Sequence, residues 1–413
     1  MKTPNPLAPR LHARNPLERL RQPVPLLAPR SRAAQGLTQA AAEGCFRLQV
    51  CAECGATAYP PRDACPQCLS ADLPFREVAP TGVLVTETTI HISGENYFRE
   101  RVPWRVGSVK LDSGPLVVAH LHASLAPKQR VHMELVLDRT GAPAMLARPP
   151  SGGADWQTDR QLREFTCDPQ GRRVLVTDGR STLGQAMVAA LHDAKAELVF
   201  VGLADPWKPF SEASVLGDAS VVPLDLTDTT SVSECAAQMG ARVDIVINTA
   251  EHVRAGGIMH QAGVVAAQDA LNIRALGLMR LAQAFGPILA ARGADSTRSA
   301  CAFVNLLAAH ALMGWPEYAA LSAAEAAALS MSQSLRAELR PAGIRIVNVF
   351  AGPIDTPWYQ AVPPPKVTPA TVARAAVTAL RGGVEDCFVG DVAEDYRARL
   401  AANPKALERE LGA

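Results

Sequence analysis

The sequence predicts a multidomain protein: a four-cysteine zinc ribbon, an antiparallel β-barrel of the oligonucleotide/oligosaccharide-binding (OB) type, and an α/β doubly wound Rossmann domain. Three observations predict it. Two close-set cysteine pairs stand near the front, Cys51-Ala-Glu-Cys54 and Cys65-Pro-Gln-Cys68. Short strand-like runs separated by turn signals follow. Beyond them, strand-like and helix-like segments alternate to the end of the chain. With 413 residues, a net charge of +1 and 48% hydrophobic residues, the chain has the composition of ordinary globular domains and lacks the basic surface of a nucleic-acid binder. No apolar run reaches the length of a signal or membrane-spanning segment. The remaining cysteines, Cys45, Cys167, Cys235, Cys301 and Cys387, are scattered without a pairing pattern, which fits a reducing cytoplasm.

Residues 1–32 form a leader rich in proline and arginine, with Glu18 its only acid. Prolines at 4, 6, 9, 16, 23, 25 and 29 break any amphipathic helix, so the segment suits a disordered or partner-draped arm better than an organelle-targeting peptide. Residues 33–75 make up the ribbon domain. The alanine-rich run Ala33 to Glu43 favours a helix that ends at Gly44, and Phe46 to Val50 is the first ribbon strand. Each cysteine pair straddles a turn; Gly55 follows the first, and Pro60-Pro61 lies between them. Two such knuckles suit a tetrahedral zinc site on Cys51, Cys54, Cys65 and Cys68. A disulfide pair or four unrelated thiols are the alternatives. With all four thiolates used, the site is closed and structural, and zinc would hold together a segment too short to bury much apolar surface.

Residues 76–149 are the barrel. Its strands are Gly82 to Thr86, Val106 to Leu111, Leu116 to Leu121 after a turn at Asp112-Ser113-Gly114, and Val131 to Leu137. Aromatics interleave with three arginines over Tyr97 to Arg105. This segment could be a loop whose Trp104 plugs the barrel, a contact for acyl-CoA or a partner, or, last, a stacking platform for single-stranded nucleic acid. The order helix, four-cysteine ribbon with Tyr59-Pro60-Pro61-Arg62 between its knuckles, then barrel resembles the zinc-ribbon/OB-fold family associated with acyl-CoA enzymes over about residues 33–149. The resemblance implies a partner subunit, a thiolase-like or aldolase-like acyl-CoA enzyme, because no domain of that size remains on the chain.

Residues 150–167, with Ser151-Gly152-Gly153, are expected to be a linker. Seven strands follow: Arg173 to Thr177, Glu197 to Val201, Val221 to Leu224, Asp244 to Asn248, Cys301 to Leu306, Ile344 to Phe350 and Cys387 to Val389. Their order, with Leu224-Asp225-Leu226-Thr227-Asp228 after the third strand and Ala351-Gly352-Pro353-Ile354-Asp355-Thr356 after the sixth, resembles the short-chain dehydrogenase/reductase family over about residues 168–390. The tail 391–413 is expected to be helical, interrupted at Pro404.

The resemblance allows the chemistry to be checked position by position. The family's glycine-rich turn, Thr-Gly-x-x-x-Gly-x-Gly, appears as Thr177-Asp178-Gly179-Arg180-Ser181-Thr182-Leu183-Gly184, so only the last of its three glycines is in register. Asp178 adds a carboxylate, and a like charge about 4 Å from a phosphate costs about 4 kcal/mol at an effective dielectric near 20. If a dinucleotide binds, the resemblance places it on Thr177, Gly179, Arg180, Ser181, Gly184, Asp225 and Asn248; the altered turn argues against NAD(P). In the catalytic set, Ala308 takes the serine position, Leu321 the tyrosine position, Glu325 the lysine position and Arg274 that of the helix asparagine. Asn248-Thr249-Ala250-Glu251 departs from Asn-Asn-Ala-Gly. Tyr318 is the one fallback, with His310 or Glu317 as substitute base, although no lysine follows it at four residues.

The expected function is therefore that of an accessory, non-catalytic subunit that docks an acyl-CoA enzyme through its ribbon and barrel. Its degenerate reductase domain would serve dimerisation or bind a ligand such as acyl-CoA. In the resembled family the helices matching the alanine-rich stretches Ala266 to Leu281 and Ala319 to Leu329 form the dimer interface, so a homodimer is expected. The alternative is an NAD(P)-dependent oxidoreductase of a hydroxyacyl-CoA or similar substrate. No nucleic-acid or membrane partner is expected.

Overall fold

The computed structural model describes residues 32–94, 96–99, 101–150, 159–205, 207–208, 216–293 and 299–411. The leader, apart from its last residue, and the front of the expected linker lie outside them. Helix α1 (Arg32–Ala42) ends where Gly44 turns left-handed at a φ of 68°, a conformation that glycine adopts without a steric penalty. Strands β1 (Arg47–Val50), β2 (Thr57–Ala58) and β3 (Phe75–Glu77) form an antiparallel sheet in the order β2-β1-β3. Its third strand, absent from the sequence reading, closes the ribbon by pairing Leu48 with Arg76.

The barrel consists of β4 (Thr81–Ile90), β5 (Trp104–Leu111), β6 (Leu116–Leu121), β7 (Arg130–Leu137) and β8 (Pro143–Arg148), closed in the order β4-β5-β6-β8-β7. A short helix, α2 (Asn96–Arg99), joins β4 to β5. The inward residues Leu84, Val109, Leu121, Val131, Met133 and Met145 fill the interior, and Leu37, Ala40 and Ala41 of α1 pack into the same core. Trp104 is buried but does not plug the barrel. It stands on the outer face, clustered with Val136, Leu146, Leu162 and Phe165, its ring centroid 5.8 Å from that of Phe165.

That contact corrects the linker. The described part of it, 159–167, is a packed strap: Leu162 and Phe165 are buried in a 3-10 turn whose start is held by the Asp159 carboxylate, which accepts from the N–H groups of Gln161 and Leu162.

The second half is a seven-stranded parallel sheet in the order β11-β10-β9-β12-β13-β14-β15. Its strands are β9 (Arg173–Val176), β10 (Leu198–Leu203), β11 (Ser220–Pro223), β12 (Ile245–Asn248), β13 (Ala302–Ala308), β14 (Arg345–Ala351) and β15 (Asp386–Val389). The order reverses at β9, so the crevice for a ligand lies outside the carboxyl ends of β9 and β12. Helices α3 (Thr182–Asp193), α4 (Thr229–Met239), α5 (Gly263–Ala270), α6 (Gly277–Arg292), α7 (Ala319–Leu339) and α8 (Pro369–Gly382) cover the two faces. A π-turn over Leu271–Leu276 joins α5 to α6 where the sequence suggested one uninterrupted helix. The tail forms α9 (Asp391–Ala402) and α10 (Pro404–Leu411), with Tyr396 and Leu407 buried against Ala309.

The barrel docks on the opposite edge of this sheet, at the amino ends of the strands. Arg345, at the start of β14, is fully buried and donates to the carbonyls of Leu137 at 2.6 Å and Phe165 at 3.1 Å. Arg139 of the barrel reaches back to Ser299 Oγ at 3.3 Å, and Arg101 donates to the Gly293 carbonyl at 3.0 Å. Glu164 pairs with Arg101 at 2.8 Å and lies 3.7 Å from Arg139. Buried charged donors aimed at fixed carbonyls leave little freedom between the domains.

Candidate functional site

Two places gather chemistry-bearing side chains. In the ribbon, β1 delivers Cys51, and the two tight turns bring Cys54, Cys65 and Cys68 to it. Their sulfurs lie within 4.8 Å of one another, with Cys51 to Cys68 at 3.5 Å and Cys54 to Cys65 at 3.6 Å. Cys51 and Cys65 are buried, whereas Cys54 and Cys68 face solvent. Four thiolates at this spacing fit zinc, and nothing in the set leaves a coordination position open for substrate.

The second place is the crevice at the carboxyl ends of β9, β12, β13 and β14. The glycine-rich turn leaves β9 through Thr177, whose hydroxyl bonds Asn248 Oδ1 at 3.3 Å. Ser181 caps α3, its hydroxyl accepting from the Gly184 N–H at 3.0 Å. Gly184 is needed there, because a Cβ would stand 1.7 Å from the Asp178 carbonyl. Arg180 turns away from the turn and donates to the carbonyls of Asp205 and Lys208, each at 2.7 Å. Asp225 uses its carboxylate on the N–H and hydroxyl of Thr227, and the Asn248 side chain bonds the Ala250 N–H. These residues surround one crevice, each with internal contacts.

The catalytic positions are brought together and hold a different chemistry. Arg274, from the π-turn, and Glu325, from α7, form a buried ion pair at 2.5 Å. Glu325 also accepts from the Ala308 N–H at 3.1 Å, and Arg274 donates to the Leu306 carbonyl at 2.6 Å. Burial works against the Arg274 charge, but Glu325 outweighs it and raises the guanidinium above its usual range. Leu321 and Ala308 line the adjoining void with Glu251, His252 and Tyr359. The space left between them, about 20 Å³, is room for one water molecule.

Sequence reasoning missed Tyr359 and His252. Tyr359 comes from a short turn after β14, Pro357–Tyr359, and is buried in the pocket. Its neighbour Trp358 packs against His252 at 5.7 Å and beneath Arg254 at 4.9 Å. The aromatic pair two residues beyond Thr356 was the available signal. Burial, opposed by Arg274 and reinforced by Asp178 and Glu325, pushes the Glu251 carboxyl up to about 7, and its Oε2 is enclosed without a hydrogen-bond partner among the described residues. Tyr318 does not line this pocket; its ring packs against Trp315, tilted by 36°, at 4.1 Å. His310 faces away too, packed on Trp315 at 4.1 Å and Tyr396 at 5.3 Å, and burial lowers its pKa to about 4.

The Tyr97 to Arg105 segment also loses its free cations. Arg105 pairs with Glu87 and donates to the carbonyls of His122, Ala123 and Leu125. Arg99 donates to the carbonyls of Ser93 and Gly94, and Arg101 is in the interdomain seam.

A seven-stranded doubly wound sheet with a glycine-turn remnant and this set of helices defines a short-chain dehydrogenase/reductase domain. The chain belongs to that family: the family described as enoyl-(acyl carrier protein) reductase matches residues 179–388. The front matches the ChsH2 rubredoxin-like zinc ribbon domain over 38–74 and the ChsH2 C-terminal OB-fold domain over 75–137. The chain is 29% identical to a 3-hydroxyacyl-CoA dehydrogenase type-2 of Drosophila melanogaster over 198 residues, which are 46% of this chain and 77% of that protein. An uncharacterised oxidoreductase of Staphylococcus aureus (strain N315) is 26% identical over 214 residues, 50% of this chain and 89% of that one. Among solved structures, a short-chain dehydrogenase from Burkholderia cenocepacia J2315 in complex with NADP superposes with a TM-score of 0.53 at 29% identity, covering 59% of this chain and 98% of that one.

Proposed function

We propose that the protein is an accessory, non-catalytic subunit. Its ribbon and barrel dock a thiolase-like or aldolase-like acyl-CoA enzyme, and its reductase domain serves as a dimerisation scaffold. The observation that carries this reading is the closed Arg274–Glu325 pair in place of the asparagine and lysine of the family's set, beside Ala308 and Leu321. Hydride transfer to or from a carbinol needs a proton donor or acceptor at the reacting carbon, and its loss alone commonly costs about 10²- to 10⁴-fold. Apolar side chains left exposed on α5, the π-turn and α6, namely Val264, Val265, Leu276 and Met279, support a second copy covering that face. The described cysteines are all free, and no described helix is long and apolar enough to cross a membrane; a cytoplasmic setting is proposed from the former.

A second reading has its own support: the relatives are oxidoreductases, and one carries the name of a 3-hydroxyacyl-CoA dehydrogenase. Incubating the purified protein with NAD⁺ or NADP⁺ and a 3-hydroxyacyl-CoA separates the two. The accessory reading expects no nucleotide reduction above background and stoichiometric recovery of an acyl-CoA enzyme with the tagged chain from native cells. Steady turnover would sink it in favour of the oxidoreductase.

A further inference from the structure

The glycine-rich turn does not fit a dinucleotide, and the misfit has a specific form. We propose that the crevice carries its own anion: the Asp178 carboxylate occupies the Arg180 N–H of the turn, one of the donors a pyrophosphate would use, so dinucleotides are disfavoured by occupation as well as by charge. The inference rests on the accessory reading above and deepens it.

Asp178 Oδ1 accepts from the Arg180 N–H at 2.9 Å, and the Ser181 hydroxyl lies 3.4 Å from the main-chain carbonyl of Asp178, to which it donates. Further along, in the first turn of α3, the Gly184 N–H is taken by Ser181 Oγ. At the start of a helix these N–H groups are what an anionic ligand uses. The backbone cannot shift to release them. The Asp178 carbonyl is packed against the Cα of Gly184, its N–H donates to Thr249 Oγ1 at 3.1 Å, and a Cβ on Gly179 would meet Val201 Cγ1 at 2.0 Å. The cation that could have balanced a phosphate, Arg180, is drawn to the Asp205 and Lys208 carbonyls, while Glu251 adds a second acid behind the turn.

The test is NADPH affinity of the full chain, followed by fluorescence titration and thermal shift, for wild type and for Asp178→Gly, Asp178→Ala and Asp178→Asn. Asparagine keeps an oxygen on the Arg180 N–H and removes only the charge. Glycine and alanine free that donor, and alanine guards against a glycine variant too flexible to fold, since the φ of Asp178 is not in the left-handed region. The expected result is no binding by wild type below millimolar, a gain of about 10²- to 10³-fold for asparagine, the scale of one like-charge contact at about 4 Å, and a further gain of about tenfold for glycine or alanine, which also free the Arg180 N–H. Micromolar binding by wild type overturns the inference, as does a folded glycine or alanine variant that binds no better. An asparagine variant that gains as much as glycine also overturns it, leaving charge alone as the cause. Tight wild-type binding without turnover would remove this inference and leave the accessory reading standing; turnover would remove both.

Discussion

The zinc knuckles and the reductase crevice both crowd ionisable side chains at chain turns, yet their charges are arranged in opposite ways: one set is fit to hold a guest, and on the proposal above the other refuses one. At the knuckles the groups are all of one kind. N–H groups of Cys68 and Gln67 pull the Cys65 thiol down to about 6, while Cys68, despite the Ser70 N–H, is pushed up to about 12 by Cys51 and Cys54. Such a set cannot ionise fully until a cation arrives. In the crevice the charges answer one another: Arg274 meets Glu325, Asp178 meets its own backbone, and Arg180 meets two carbonyls. What separates the two places is whether the charge is left uncancelled, more than how many charged groups converge. The two places are also far apart, since the barrel joins the amino ends of the strands and the crevice opens at their carboxyl ends, about 13–23 Å away for strands of this length.

The strongest way to break the comparison is to remove the guest. Chelation, or Cys65→Ser, should take zinc from one per chain to none and abolish amide protection across the ribbon sheet; structural zinc contributes about 10 kcal/mol or more at neutral pH in comparable small domains. Hydrogen exchange checks it, and protection that survives chelation would mean that the ribbon holds itself.

In the crevice the same logic predicts that one half of a cancelled pair is worse than none. Arg274→Met leaves Glu325 buried and alone and should cost about 3–5 kcal/mol, whereas Arg274→Met with Glu325→Leu should return to within about 1–2 kcal/mol of wild type or exceed it. Urea denaturation of the three proteins measures it. Equal losses in the single and double variants would show that the pair is not the lock.

Glu251 is the uncancelled exception, and it sharpens the comparison through pH. Its carboxyl is raised from 4.5 to about 7 in the folded chain. The folded state therefore binds the proton more tightly, so wild-type stability is highest below pH about 4.5 as far as this group goes and falls as pH rises toward 7. Glu251→Gln should remove that loss, about 3 kcal/mol at full effect, so its advantage in melting temperature should be large at pH 8 and small at pH 5. A constant difference across pH would place the cost elsewhere.

How much of this was legible follows the reach of each interaction along the chain. The cysteine spacing and the seven strands of the Rossmann sheet are local patterns and were read directly. Strand β8 was not, because it begins at Pro143 and is buried on both faces from Ala144 to Ala147, so it shows no alternation. The reading of Trp104 as a barrel plug, one of three offered for its segment, does not hold because its true neighbour, Phe165, belongs to a segment that looked like linker. Arg274 and Glu325 were each located at their positions, yet their pairing was missed. A base in the asparagine position and an acid in the lysine position were the signal, and only the π-turn of α5–α6 against α7 makes them meet.

The smallest expected effect on stability tests the largest functional claim. On the outer face of the barrel Leu116 and Val118 are 55% and 62% exposed, beside Val85 of the neighbouring β4 face at 46%, and they pair across the sheet with Lys110 and Ser108 of β5. No described residue covers them, although the far end of the same face is buried under the strap at Trp104 and Phe165. Replacing both with glutamate exchanges solvent-facing side chains and gives Lys110 an acid opposite, so folding stability should change by no more than about 0.5 kcal/mol. If this face receives the acyl-CoA enzyme, two buried charges should weaken the complex by at least about tenfold with the melting temperature unmoved. A complex that forms as before would move the docking surface to the ribbon or to the reductase domain, and would leave the barrel as a spacer that the interdomain arginines hold rigid.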